Sequence, residues 1–506
     1  MTLRLLPELF PLVVCHLPLY AIPSTVPSLA LSDHATYEAY LILRNEKDTV
    51  STFQRILNAP KLGKAVRELH IMTELTAAAR NRDGVPFDSV TGLIKLIVGG
   101  LLPYIHTLSL HLIGGWRWDE KYLPVKGFGH LDTHFWHALE SHCPRLRKLA
   151  LSGLGDKHDP WLNDSGIYEW KGMNKLTHIG LSFPPASEVQ IDGTDRLLKN
   201  ITALSPLLHT LDLGFYQKLD SASPILSLKF PHLKSLKLAS LLVYASEAMV
   251  FWRSHPLIET LNLSDAWGFC PWFSDTVEGD LLPNLKYLEA SFRDVLLLVP
   301  VLPRLITLSV QQSLNAQVPY LLRAVIPDGL PNLHGLEIDQ KDTTERERIG
   351  DKKGCKWYET ADGKFNEVAI KNAGRSFFDD YIHSLVRGAP NIIELCLLEY
   401  MAEHLAAELA QFPNLARLYF RGVNDTDTSL RTPENREAFY TSSRAIADKC
   451  QLLERITDIS STPYMALKIR RNEARSVVET IRVEGYGTII GAEDEAFPRN
   501  PRATVI

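Results

Sequence analysis

Along most of the chain one pattern of apolar positions returns: a proline, then apolar residues two, five and seven positions later. It reads Pro103-Ile105-Leu108-Leu110, Pro144-Leu146-Leu149-Leu151, Pro206-Leu208-Leu211-Leu213 and Pro231-Leu233-Leu236-Leu238. It continues as Pro256-Ile258-Leu261-Leu263, Pro283-Leu285-Leu288-Ala290, Pro303-Leu305-Leu308-Val310 and Pro331-Leu333-Leu336-Ile338. Pro390-Ile392-Leu395-Leu397 and Pro413-Leu415-Leu418-Phe420 repeat it after a gap, and Val66-Leu69-Ile71 and Leu176-Ile179-Leu181 keep it without the proline. The last two apolar positions of each copy are two residues apart, the period of a strand with one buried side. Proline lacks an N–H and fixes φ, so just upstream it ends the preceding helix or loop and opens the strand. Twelve copies therefore predict twelve short strands, each with leucines on one side and variable residues on the other.

From Leu211 to Leu336 the pattern advances in steps of 25, 25, 27, 20 and 28 residues. Those steps sit within the roughly 20 to 29 residues of leucine-rich repeats, which the chain resembles. No single repeat can bury its own leucine face, so neighbours must stack to make a core. The resemblance implies an α/β fold, a leucine-rich-repeat solenoid with a curved parallel sheet and helices on its convex side. Asp195 to Leu204 and Ala245 to Trp252 carry helical apolar spacing and are expected among those helices.

The variable position between the last two apolar residues forms a middle row on the displayed side. In repeat order it holds His70, Ser109, Ala150, Gly180, Asp212, Lys237, Asn262, Glu289, Ser309, Glu337, Cys396 and Tyr419. Asp212, Lys237, Asn262 and Glu289 are expected as ladder neighbours roughly 5 Å apart, either a polar patch for a partner or a solvated face paired within itself. Trp116 and Trp118 follow the Leu110 strand, and Trp267, Phe269, Trp272 and Phe273 follow the Leu263 strand. Aromatics there are either binding anchors or core fillers.

The chain opens Leu5-Leu6-Pro7-Glu8-Leu9-Phe10, followed by Val13-Val14-Cys15-His16-Leu17-Pro18. This start resembles an F-box, and the whole chain is similar to the F-box and leucine-rich-repeat proteins common in fungi. The resemblance implies a short helical module that docks on the Skp-type adaptor of a cullin–RING ubiquitin ligase. Leu6, Pro7, Leu9, Val13 and Leu17 would supply apolar contact, with Glu8 beginning the first helix. Read from spacing alone, Leu9, Val13 and Leu17 make one helical face that could equally cap the repeat array.

Between Ile338 and Ile392 the pattern vanishes. The charged run Lys341 to Lys353 reads as a loop, the residues flanking Asp362-Gly363 as a hairpin, and Phe377 to Val386 as a helix. A second loop is expected from Val423 to Arg431, and Val478-Ile481-Val483 reads as a last degenerate repeat. Four segments follow: 1–45 F-box-like, 46–340 repeats, 341–390 insertion, and 391–506 C-terminal repeats and cap.

Composition narrows the chemistry. With 54 Lys plus Arg against 59 Asp plus Glu, a net charge of −5 and no long basic block, nucleic acid is not the expected partner. The six cysteines are far apart, without paired spacing, which fits a reducing compartment, cytoplasm or nucleus. No apolar run reaches the roughly 18 to 20 residues of a membrane span, and Pro7, Pro11 and Pro18 break the apolar stretch that could pass for a signal peptide. His130, His134, His137, His142 and Cys143 crowd together, but their spacing matches no zinc pattern. Gly485, Gly487 and Gly491 lack the context of a phosphate loop, and no nucleophile is placed beside a base. No metal, cofactor or catalytic residue is assigned. The expected function is non-enzymatic substrate recognition for such a ligase, with Skp-type adaptor, cullin scaffold and an unidentified target as partners; the alternative is a repeat scaffold without a ligase link.

Overall fold

All twelve predicted strands are present, and each begins within a few residues of its apolar triad. The structure, a computed structural model, describes residues 39–43, 46–75, 89–114, 131–153, 175–183, 207–219, 223–241, 243–264, 271–274, 277–313, 329–340, 385–397, 402–420, 433–458, 464–472 and 477–485. These fall into two compact units, Met1–Ile258 and Glu259–Ile506.

In unit 1 the strands are β1 (Ala39–Leu43), β2 (Val66–Leu75), β3 (Thr107–Gly114), β4 (Lys148–Gly153), β5 (His178–Phe183), β6 (Thr210–Leu219) and β7 (Ser235–Leu241). Each pairs in parallel with the next. Register aligns the same repeat position every time, so Leu69, Leu108, Leu149, Ile179, Leu211 and Leu236 form one continuous buried row. This is the interior that the repeat pattern requires, one leucine tier per strand. Helices α1 (Glu46–Asn58), α2 (Ser89–Val98), α3 (Thr133–His142) and α4 (Ala245–Ser254) alternate with the strands. They bury Phe53, Leu93, Phe135, Trp136, Phe251 and Trp252 among other apolar residues. Asp132 starts α3 by accepting the Phe135 amide at 2.9 Å, which satisfies one of the donors every helix start leaves open. At Gly63 a side chain has no room, because a Cβ would lie 2.1 Å from the Leu101 carbonyl oxygen.

In unit 2 the strands are β8 (Thr260–Ser264), β9 (Tyr287–Ser291), β10 (Thr307–Ser313), β11 (Gly335–Gln340), β12 (Glu394–Leu397), β13 (Arg417–Phe420) and β14 (Arg455–Asp458), again parallel in order. Helices α5 (Phe292–Leu297), α6 (Ala402–Leu409) and α7 (Pro433–Lys449) lie between them. Asparagines that directly follow the repeat proline tie neighbouring repeats together. Asn332 donates to the Pro303 carbonyl at 2.9 Å and Asn391 to that of Pro331 at 2.8 Å. The second of these bonds spans the insertion. The Leu330 amide bonds the Gly388 carbonyl, near the end of the insertion, at 2.6 Å, beside Gly329, whose φ of +63° only glycine adopts easily.

Three features differ from the sequence expectation. Ala39–Leu43, inside the 1–45 segment, forms β1 and pairs with β2, while residues 1–38 lie outside the described residues. A repeat that the pattern does not flag, Leu453-Ile456-Asp458, supplies β14. Val478-Ile481-Val483 is not a parallel repeat: it lies in β16 (Val477–Gly485), antiparallel to β15 (Tyr464–Arg471), which is itself antiparallel to β14. Five residues separate each of these strand pairs, too few for the crossover of a dozen or more that a parallel partner needs. The predicted helix at 195–204, the loop at 423–431 and most of the 341–390 insertion lie outside the described residues, only 385–390 of the insertion being described.

One buried histidine belongs to this scaffold. His255, at the end of α4, accepts the Phe230 amide on Nε2 at 2.9 Å and donates from Nδ1 to the Phe251 carbonyl at 2.7 Å, its ring against that of Phe251. Burial holds its pKa below the ordinary 6.5 and the charge of Lys229 adds to this, opposed by the bond to Phe251. Protonation would set an N–H against the Phe230 N–H. Since the unfolded chain takes that proton first, the His255 contribution is full above about pH 6.5 and is lost as pH falls below it. We expect the urea midpoint to fall between pH 7.5 and 5.5, and to fall less in His255→Gln. An equal fall in both proteins would show that another group carries the dependence.

Candidate functional site

The middle row predicted from sequence forms in register. His70, Ser109, Ala150, Gly180, Asp212 and Lys237 are successive partners in unit 1. Asn262, Glu289, Ser309, Glu337, Cys396 and Tyr419 are successive partners in unit 2, and Thr457 extends the row. The four residues singled out on this row fall as one pair in each unit.

In unit 1, Lys237 Nζ stands 3.5 Å from Asp212 Oδ2, both groups partly open to solvent. The other carboxylate oxygen of Asp212 is buried without a hydrogen-bond partner. That desolvation raises the Asp212 pKa, against the charge and hydrogen bond of Lys237. In unit 2, Glu289 is held from both sides, by the Asn262 side-chain amide on one oxygen and that of Gln311 on the other. Ser309 donates to Glu337 at 2.8 Å. At the first displayed position of β2, burial pushes the Glu68 carboxyl up. The His70 hydrogen bond and the charges of His70, His106 and Lys148 outweigh this and hold it below its ordinary value.

The row is less open than alternation predicts. His70 and Ser109 in unit 1, and Ser309, Glu337, Cys396, Tyr419 and Thr457 in unit 2, are buried, whereas Lys237 is exposed and Asp212, Asn262 and Glu289 are half-buried. Pairing offsets part of the cost of burying its polar members: Ser309 bonds Glu337 across strands, while His70 bonds Glu68 and Thr457 accepts from Arg455 within their own strands. Of the tryptophans, Trp272 is buried at 2% exposure with Phe273 beside it in sequence, filling core and not presented for contact. Its amide donates to Asp294 Oδ1 at 2.6 Å. Trp116, Trp118 and Trp267 lie outside the described residues, as do Leu6, Pro7, Glu8, Leu9, Val13 and Leu17.

The histidine-rich stretch is scaffold where it is described. His142 Nδ1 bonds the Ile97 carbonyl at 3.0 Å, and the Cys143 thiol donates to that of Leu102 at 3.5 Å, both joining neighbouring repeats; His130 lies outside the described residues. Among the described residues no group of three or more His, Cys, Asp or Glu is arranged to hold a metal. Burial pushes the Cys143 thiol up to about 12 and the Cys450 thiol up to about 11, so neither supplies a thiolate near neutrality. Among the described residues no helix is long and apolar enough to cross a membrane.

Sequence reasoning left one surface unmarked. At each strand entry in unit 1, Arg67 within the start of β2 and His106, Arg147, Thr177, His209 and Lys234 just before β3 to β7 belong to a second ladder made by backbone alone. From His106 onward each amide donates to the carbonyl of the preceding member at 2.8 to 2.9 Å. Two positions earlier stands the residue after the repeat proline, among them Tyr104 and Arg145. The Tyr104 ring is flanked by the guanidiniums of Arg67, at 5.2 Å, and Arg145, at 4.8 Å. The signal was present as recurring basic residues within the x positions of the repeat, but a hydrophobic pattern search ignores those positions.

No protein-family model and no curated protein matches the chain. Among solved structures, a leucine-rich-repeat protein of Leptospira interrogans matches with 15% sequence identity, over 83% of this chain and 97% of that one, at a TM-score of 0.27.

Proposed function

We propose that this protein is a non-enzymatic binding subunit of the cytoplasm or nucleus, whose repeats hold a partner protein while its N-terminal segment docks on the Skp-type adaptor of a cullin–RING ubiquitin ligase. What supports the binding part is the in-register polar row on a rigid parallel ladder. Strands about 4.8 Å apart present side chains at a fixed pitch, which suits many-point recognition of another protein. The ligase part rests on the Leu6-Pro7-Glu8-Leu9 start and the apolar Val13 and Leu17 that follow it. Holding a target beside the modifying machinery would make a rare encounter effectively intramolecular, and catalysis would belong to other subunits.

A second reading, a scaffold whose N-terminus only caps the array, is favoured by β1. Ala39–Leu43, inside the 1–45 segment, joins the ladder as a parallel strand beside β2. Co-purification with the Skp-type adaptor separates the two readings. We expect wild type to retain the adaptor and a Pro7→Asp, Leu9→Asp double variant to lose it. Equal retention by both, or retention by neither, would remove the ligase link and leave the scaffold.

A further inference from the structure

We propose that the strand-entry edge of unit 1 is the docking surface for an acidic, extended segment of a partner protein, lying across the strands. This deepens the protein-binding reading and rests on it. Arg67, Arg145, Arg147, Lys175 and Lys234 line this edge, and all but the half-buried Arg67 are exposed. Neither turn position holds an aspartate or glutamate in any described repeat of unit 1. Glu68, at the start of β2, is the nearby acid, and it is already engaged by His70 at 3.3 Å and His106 at 3.7 Å.

The same positions are used differently in unit 2. There the residue after the proline is Asn284, Asn332, Asn391 or Asn414, of which Asn332 and Asn391 donate to the repeat before, or Arg304, which donates to the Gly279 carbonyl at 2.8 Å. The residue before the strand is Glu259, Lys286, Ile306, His334, Ile393, Ala416 and Glu454 in turn, mostly uncharged, and Lys286 meets Glu259 at 3.3 Å. Unit 2 thus neutralises or ties down its edge internally, while unit 1 concentrates one sign of charge in a chain whose net charge is −5. Such a concentration favours a complementary partner over self-association.

The three arginines of the edge are held before any partner arrives. The backbone ladder beneath them fixes their spacing. Arg67 Nη1 donates to the Lys64 carbonyl at 2.8 Å and Arg147 Nη1 to that of Leu146 at 2.9 Å, while Tyr104 fixes the Arg67 and Arg145 guanidiniums. Ordering them in advance reduces the entropy lost on binding. From Arg67 to Lys234 the edge crosses five strand intervals, ~24 Å at the usual ~4.8 Å each, the reach of about seven extended residues. Nucleic acid fits less well, since the Tyr104 ring is engaged by guanidiniums where a base would stack.

Fluorescence anisotropy with the full chain and a labelled octaglutamate peptide tests the proposal, with an eight-residue oligodeoxythymidylate as competitor. We expect saturable binding that weakens with added salt, and Arg145→Glu, Arg147→Glu to weaken it by ~10-fold or more without changing the melting temperature. Lys175→Glu serves if the double variant does not fold, with a smaller loss in the same direction. No binding, binding unchanged by reversal, or tighter binding of the oligonucleotide would overturn the assignment. Capture of partner proteins from lysate distinguishes the two levels. Partners retained equally by wild type and variant leave the scaffold reading standing and sink the acidic edge, while octaglutamate binding without any captured protein does the reverse.

Discussion

Replacing Leu236 by Asp is expected to abolish cooperative folding of unit 1, whereas Lys237→Ala, one residue along the same strand, should shift stability by less than about 1 kcal/mol. Leu236 is fully buried and pairs in register with Leu211, at the level of the leucine row that runs through β2 to β7. Removing a buried leucine side chain costs about 2 to 5 kcal/mol, and stranding an unpaired carboxylate in the space adds several more. The sum rivals the roughly 5 to 15 kcal/mol that stabilises a whole domain. Because each repeat is stable only against its neighbours, the loss spreads along the ladder. Lys237 points the other way, is exposed, and pairs with Asp212. Thermal melts by circular dichroism and limited proteolysis would read both variants. A folded Leu236→Asp protein would mean that the strands do not share one interior.

Asp294→Ala should cost about 2 to 4 kcal/mol, large for a single polar residue. Asp294 is 1% exposed, and both of its oxygens are used. One accepts the Trp272 amide at 2.6 Å and the other the Ser291 hydroxyl at 2.7 Å, while Ser291 Oγ in return accepts the Asp294 amide at the start of α5. Alanine would leave the buried Trp272 amide and the half-buried Ser291 hydroxyl without this acceptor and loosen both the helix start and the segment that seats Trp272. Asp294→Asn keeps an acceptor for one of them and should lose less. Denaturant unfolding gives the magnitude, and hydrogen exchange at the Trp272 amide gives the location. An amide still protected in Asp294→Ala would mean that Trp272 is held by packing alone.

How far these effects could be foreseen depends on the distance over which each one acts. The leucine rows were legible because every repeat carries its own copy of the same short pattern. Equal offsets from the proline then fix register, and the middle row of twelve residues pairs in sequence order within each unit. Where the pattern is degraded, legibility ended: β1 has no proline before Leu41 and Leu43, and β14 places Asp458 where a leucine is usual, buried at 5% exposure. The strand period of two is the same in parallel and antiparallel pairs, so apolar spacing alone could not give β16 its direction. Short connections could have done so.

The sequence by itself determined that this chain is a repeat protein, where its strands begin, and which residue of each repeat faces the interior, because these follow from local periodicity and from proline. Only the tertiary structure decided which displayed residues stay open. Glu289 is clamped between two amides on neighbouring strands, Asp294 is bound to a tryptophan amide 22 residues away, and the basic turns of unit 1 align into one edge through backbone bonds between repeats. Burial, pairing and charge concentration are properties of neighbours brought together from distant positions, and no single repeat contains them.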